Sequence, residues 1–302
     1  MVYRLSGWSF VELLRVLAVF GILYSIYEFL SGADERQKTS QYQAWQVINS
    51  AQGKGGSGGR IDALQDLGKW NVNMSGVSLD DAWLVGVDLL AANLSRLSAR
   101  RADLTRANLR QADLSHGDLS WARLDGANMQ QAILTGAFLD STMMLDARLV
   151  DARLDSAYLR DARLEGADMS GATLSDTDLR RTRLDRAVLR GANLHGARMH
   201  RASLRNADLT HSRITRSTLV GTDLLFADVD SADFTGSDLS RSQLTGLKNW
   251  RRIRSLQGAN LYGVIAPPGF VTWARDSMGA VCRAADGREL PALECLPAAV
   301  NP

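Results

Sequence analysis

Arginine is the residue this chain concentrates. Between Leu179 and Arg216 stand Arg180, Arg181, Arg183, Arg186, Arg190, Arg198, Arg201, Arg205, Arg213 and Arg216, opposed only by Asp185 and Asp208, a local net charge of +8. Guanidinium groups in that number suit carboxylate or phosphate, which they grip with paired N–H donors. The stretch before it, residues 140–178, holds nine Asp or Glu and four Arg, a net of −5. Two readings follow: an anion- or partner-binding belt, or a structural ladder in which each Arg is neutralised by an acidic neighbour. The other chemistry-bearing residues do not assemble. His116, His195, His200 and His211 are scattered at outward positions, which argues against a metal site or a Ser–His–Asp triad. The Asp residues recur at fixed intervals, as hydrogen-bonding corner residues do and acid–base pairs do not. Cys282 and Cys295, the only cysteines, are too few for a disulfide framework; they pair if exported and are free thiols otherwise. No cofactor and no enzyme activity are expected, and a whole-chain charge of +2 creates no global field toward nucleic acid.

What would position the arginines is a repeat. From Met74 every fifth residue is large and apolar, through Leu84, Leu109, Leu164 and Leu194 to Leu244, giving 35 repeats without an insertion. Two residues before each lies a small one, such as Ala102, Ala107 or Gly117, often with Asp or Asn between, as in Ala102-Asp103-Leu104. A period of five fits neither helix nor strand alone. Residues two apart share one face of an extended chain, so the chain must turn a corner after each pair. Four sides close a 20-residue coil, and coils stacking as parallel strands at about 4.8 Å give a rod of roughly 42 Å. Leu97–Ala99 exchanges large and small, a local distortion, and the bulky Val77 and Val87 predict an irregular first coil.

The pattern resembles the pentapeptide-repeat family, A-[DN]-L-x-x, over residues 74–245. The resemblance implies an all-β solenoid, a right-handed quadrilateral parallel β-helix, with no enzymatic role.

The flanks read differently. Trp8 to Leu30 is apolar apart from Glu12, Arg15 and Glu28, and its 23 residues would span about 34 Å, so residues 1–33 are expected to be a transmembrane helix or a signal peptide cleaved near Ser31-Gly32-Ala33. Lys and Arg flank it evenly, leaving the side of the repeats open. Residues 34–73 read as a helical linker, with Tyr42, Trp45, Val47 and Ile48 on an apolar side, a flexible Gly53–Gly59 break, and a short capping helix from Arg60 to Lys69. Residues 246–302 read as a C-terminal cap, with a stray repeat at Ala259-Asn260-Leu261, a stop at Pro267-Pro268-Gly269 and a hairpin at Asp286-Gly287. This layout resembles membrane-tethered bacterial pentapeptide-repeat proteins, which implies a single-pass inner-membrane location and a scaffold for an unknown protein partner, with nucleic acid unfavoured. Other members of the family imitate DNA and bind gyrase, conferring quinolone resistance. That alternative requires an acidic rod, whereas residues 74–245 carry 23 Asp or Glu and 21 Arg.

Overall fold

The computed structural model describes residues 10–50, 58–291 and 295. One repeat shows why five residues make a side. In Ala167–Gly171, Ala167 N–H donates to the Leu164 carbonyl (3.0 Å), closing a turn, and Asp168 N–H donates to Ala147 of the preceding coil (2.9 Å). Met169 and Gly171 N–H donate to Val188 (2.7 Å) and Arg190 (2.9 Å) of the following coil. The fifth donor, Ser170 N–H, has no carbonyl and binds the Asp168 carboxylate instead (3.1 Å). All five donors of that repeat are therefore satisfied.

The Asp or Asn before the central residue thus has a defined task. From Asn73 to Asn260, every Asp or Asn at that position accepts from the N–H two residues on, as Asp103 does from Thr105 (3.0 Å) and Asn193 from His195 (3.2 Å). This is the local Asx hydrogen bond of a turn. Where the position holds another residue, an Asp of the coil before can substitute: Asp80 accepts from Arg100 N–H (2.8 Å) and Asp155 from Ser175 N–H (3.1 Å).

The corner carries a backbone constraint that the sequence pattern hid. The second residue after each central one has positive φ, as at Asp81 (56°), Trp121 (65°), Arg181 (60°) and Phe226 (59°). A turn closed by an i to i+3 bond with positive φ at its third residue is of the type II kind, which glycine favours. Glycine is the most frequent residue there, and arginine also occupies the position repeatedly, as at Arg96, Arg101, Arg186 and Arg241.

Coils pair at a 20-residue offset through single-residue parallel bridges, for example Trp83↔Asp103 and Arg163↔Arg183. The expectation of stacked strands is corrected in this respect: the turn consumes two residues of every five, leaving too little extended chain for more than one bridge per side. Inside, Leu164 and Leu184 are fully buried, and so are the small residues. The expected irregular first coil does not appear, since Val77 and Val87 make the same 3.1 Å turn bond as Ala82. The Leu97–Ala99 exchange is compensated one coil on. Both residues are buried, and a Cβ on Gly117 would collide with the Leu97 side chain, so the missing methyl makes room for the misplaced isobutyl group.

At the N-terminal end, α1 (Phe10–Ser50) is one helix of 41 residues. Ser31-Gly32-Ala33 lies within it, so anchor and linker are not separate elements. Its last turns bury Ala44 and Ile48 in one apolar cluster with Leu64 and Leu67 of α2 (Arg60–Lys69) and with Met74 of the first coil. Tyr42, expected on that apolar side, points outward at 66% exposure. The expected glycine break falls largely on residues 51–57, outside the described residues.

The expected single-pass membrane location is overturned. Trp8 and Ser9 lie outside the described residues, and among the described residues no helix is long and apolar enough to cross a membrane. The physical reason is the spacing of Glu12, Arg15 and Glu28. The charge-free run between Arg15 and Glu28 covers about 18 Å of helix against a hydrocarbon core of about 30 Å.

At the other end the register shifts. Asp228 pairs with Lys248 at the usual spacing, but Asp233 pairs with Ser255 and Asp238 with Asn260, an offset of 22. The two extra residues are absorbed by a 3₁₀ turn, Trp250–Arg252. Trp250 meets Phe270 and Trp273 of α3 (Phe270–Met278) edge-on, at ring separations of 5.6 and 5.1 Å. The Asp286-Gly287 turn forms, closing an antiparallel bridge between Arg283 and Glu289. Cys282 and Cys295 are disulfide-bonded, and the Cys295 carbonyl accepts from Gly263 N–H of the last coil (2.6 Å).

Two substitutions separate core from corner. Leu164→Ala should cost about 2–5 kcal/mol in chemical denaturation, as for other buried leucines. Asp168→Ala should cost about 0.5–1.5 kcal/mol by removing the acceptor of the part-buried Ser170 N–H, while Asp168→Asn, which keeps the acceptor, should stay close to wild type.

Candidate anion-binding edge

The four sides of the coil follow in chain order: the first holds Met74 and Leu94, the second Leu79 and Leu179, the third Leu84 and Leu184, the fourth Leu89 and Leu189. The ten arginines do not lie together. Arg213 and Arg216 belong to the first side, Arg190 to the fourth, and Arg186 to the corner between third and fourth. Arg180, Arg181, Arg198 and Arg201 belong to the second side, Arg183 and Arg205 to the third. All except the half-buried Arg180 are exposed.

Four of the ten are neutralised. Arg180 grips Asp178 with two guanidinium bonds (2.8 and 2.6 Å), and Arg181 grips Asp161 of the preceding coil (2.6 Å for both). Arg190 reaches Asp208 (2.8 Å) and Arg205 reaches Asp223 (2.6 Å). Arg183, Arg186, Arg198, Arg201, Arg213 and Arg216 make no ion pair among the described residues. Ladder and belt therefore coexist, divided by position.

The pairs set protonation. Hydrogen bonding from Arg181 holds the Asp161 carboxyl below the usual carboxylate range. Burial pushes Asp178 upward, but the side-chain and backbone hydrogen bonds of Arg180 outweigh it and the group settles low. Burial likewise opposes, and Thr210 and Arg190 together produce, the lowering at Asp208.

The edge between second and third sides is where the free charge gathers. Its turn residues form a column at one-coil spacing, in which Asp81 binds Arg101 (2.7 Å) as Asp161 binds Arg181. The column then reads Arg201, Gly221, Arg241. Arg201 has Arg181 one coil before it, and Arg241 has Gly221, so neither finds an Asp in the place that serves Arg101 and Arg181. Over the missing side chain of Gly221 lies a cleft of about 410 Å³ lined by Arg180, Arg181, His200, Arg201, Val220 and Arg241. The Arg201 stem leans toward it, its Cγ 3.7 Å from where a Gly221 Cβ would stand. Arg181 and Arg201, one coil apart, do not form a free pair that could grip one anion, because Arg181 is committed to Asp161. Arg241 lies outside the stretch of sequence that suggested the belt; counting in steps of twenty from Arg181 would have found it. Sequence reading also missed a stacked pair on the second side, Phe138 and Tyr158, with ring centroids 5.1 Å apart. Among the described residues no group of His, Cys, Asp and Glu could hold a metal ion.

A square solenoid with its chemistry confined to outward columns defines a class of surface-presenting repeat protein. The family description "Pentapeptide repeats" matches eight copies over residues 73–111, 102–140, 147–186, 182–221 and 212–246. The chain belongs to the pentapeptide-repeat family, and its fold is that family's right-handed β-helix. Among solved structures it is similar to HetL of the cyanobacterium Nostoc, a pentapeptide repeat protein involved in heterocyst differentiation regulation. That match has 30% identity and a TM-score of 0.35, and covers 66% of this chain and 91% of HetL. Full-length QnrB1, a plasmid-mediated fluoroquinolone resistance protein, matches at 18% identity and a TM-score of 0.30, over 55% of this chain and 87% of that one. A pentapeptide repeat protein from the Arabidopsis thaliana thylakoid lumen matches at 24% identity and a TM-score of 0.20, over 40% of this chain and 79% of its own. No curated protein matches the chain.

The paired carboxylates give a pH signature. A carboxyl whose folded pKa is depressed contributes stability that is complete above the unfolded value, about pH 4, and is lost as pH falls through the lower folded value. The melting temperature should therefore drop on acidification from about pH 6 to about pH 3. Asp178→Asn, which keeps an acceptor for Arg180 N–H but no charge, should shrink that drop. An unchanged acid limb would mean that the Arg180 pair adds nothing.

Proposed function

We propose that the protein is a non-enzymatic interaction rod that engages an acidic segment of a protein partner along the edge between its second and third sides. The observation that carries this reading is the division of charge. The Asp residues beside the core are engaged by backbone N–H groups, whereas Arg183, Arg201 and Arg241 are exposed without an ion pair among the described residues. Aligned coils hold these arginines at fixed spacing, so little side-chain freedom beyond their own rotamers is lost on binding. In this reading residues 74–245 are the presenting surface, with 34–73 and 246–302 as caps. The remaining belt arginines supply long-range attraction rather than contact. Imitation of DNA, the alternative within the family, needs free carboxylates in rows, and this edge offers the opposite sign.

A glutamate-rich peptide tests it by fluorescence anisotropy. Its affinity should fall steeply with salt, since the Debye length shrinks from about 10 Å at 0.1 M to about 3 Å at 1 M. Replacing Arg183, Arg201 and Arg241 together by Gln should weaken binding about tenfold or more, each lost charge-assisted contact being substantial. Replacing Arg186, Arg190 and Arg213 on the other sides should do much less. Equal losses from both triples would reduce the edge to an undifferentiated part of a basic surface.

A further inference from the structure

The cleft over Gly221 is more specific than a basic surface requires. Elsewhere in the same column a carboxylate is matched by one guanidinium, Asp81 by Arg101 and Asp161 by Arg181. Over Gly221 the chain assembles two uncommitted guanidinium groups, Arg201 and Arg241, in a cleft that Arg180, Arg181 and His200 also line. A single carboxylate would leave most of that donor array unused. A phosphomonoester carries close to two negative charges near neutral pH and three acceptor oxygens, and can take a fork from each of two arginines.

Gly221 is the second line of argument. Its backbone, at φ +67°, does not explain the residue, because Arg181, Arg201 and Ser141 hold the same turn at 60°, 55° and 58°. What glycine provides is the space itself, since any side chain at 221 would project between Arg201 and Arg241. An Asp there would stand one coil before Arg241 and build the pair that Asp161 makes with Arg181.

We infer that the Gly221 cleft is a phosphate-dianion subsite formed by Arg201 and Arg241, and that the acidic partner presents it with a phosphorylated side chain. This rests on the proposed use of the basic edge by a protein partner, and narrows it to one ligand chemistry at one position.

The test uses the full chain and five probes: a glutamate-flanked phosphoserine peptide, the same peptide with Ser, the same with Glu, inorganic phosphate, and a short DNA duplex. The phosphopeptide should bind about tenfold or more tighter than the Ser and Glu versions, and inorganic phosphate should compete with it. Arg201→Gln and Arg241→Gln should each erase that preference. Gly221→Asp should erase it as well and still fold, because Asp already occupies this turn at Asp81 and Asp161. Gly221→Ser carries the same left-handed backbone cost without the carboxylate, and should keep the phosphopeptide preference. A Glu peptide that binds as tightly as the phosphopeptide overturns the subsite while leaving the acidic-partner reading intact. Peptide binding that is absent, or that the edge arginines do not affect, overturns both. Inorganic phosphate that binds when the phosphopeptide shows no preference, or a duplex that outbinds it through the same two arginines, assigns the cleft to free phosphate or nucleic acid and also overturns the inference. Undiminished phosphopeptide binding by Gly221→Asp does so directly.

Discussion

The structure depends on the backbone donor that a five-residue side cannot satisfy with its own carbonyls. Four N–H groups per repeat find carbonyl partners, one in the turn and three in adjacent coils, and the fifth does not. Making that bond contributes about 0.5–1.5 kcal/mol, and the array poses the problem in every repeat, leaving the donor without an acceptor among the described residues at exposed positions such as Arg190 and His200. The solution is a short side-chain acceptor at the one position from which it can reach two residues forward, which is why Asp and Asn recur before the central residue. Much of the acidity of this chain is therefore committed to the fold. The same geometry forces the other requirements. The inward residue beside the corner must be small, the axis must be filled by a branched or flexible apolar side chain, and the corner must accept positive φ.

That last demand explains how the surface becomes free to vary. A left-handed conformation costs a residue with a side chain roughly 1–2 kcal/mol, yet here it is occupied by arginine, aspartate, tryptophan and glycine alike. Each corner residue is held by a turn bond and by a bond to the next coil, as at Arg181, whose N–H donates to His200 (3.0 Å) while Thr182 N–H closes the turn (3.2 Å). The ladder over-determines the conformation, and coil-to-coil contacts accumulate as in any quasi-one-dimensional array. Stability comes from the axis and the ladder, so the corner columns can differ from coil to coil without endangering the fold.

The parts legible in the sequence are those set by the local period. Large residues at one position and small ones two before it define inside and outside, and the structure places Leu164 and Ala167 accordingly. What escaped was long-range in the chain. The Leu97 exchange looked like a defect because its compensation, Gly117, lies twenty residues away. The ten-arginine belt was bounded along the sequence, whereas neighbours on this rod are twenty apart; that hid Arg241 and included Arg190 and Arg213 from other sides, and the twenty-residue step that does join Arg201 to Arg181 could not show that Arg181 is committed to Asp161. The N-terminal apolar run was read by its full 23-residue length, with Glu12, Arg15 and Glu28 tolerated inside it. Its interrupting charges leave too short a free stretch, and its downstream end continues as one helix into the cap that covers Met74.

Cross-coil neutralisation in this column has a direction: the Asp comes first and the Arg one coil later. Asp81 with Arg101 and Asp161 with Arg181 obey it, and the free cations arise where it fails. Exposed ion pairs of this kind contribute only about 0.2–1 kcal/mol each, so omitting two of them costs the rod little. An unpaired arginine on a rigid corner retains its full capacity to bind an anion, because no internal carboxylate must first be displaced. A fold this indifferent to its corner residues can thus hold charge in an unsatisfied state at a chosen height along the axis, and at Gly221 it holds two such charges with an open space between them.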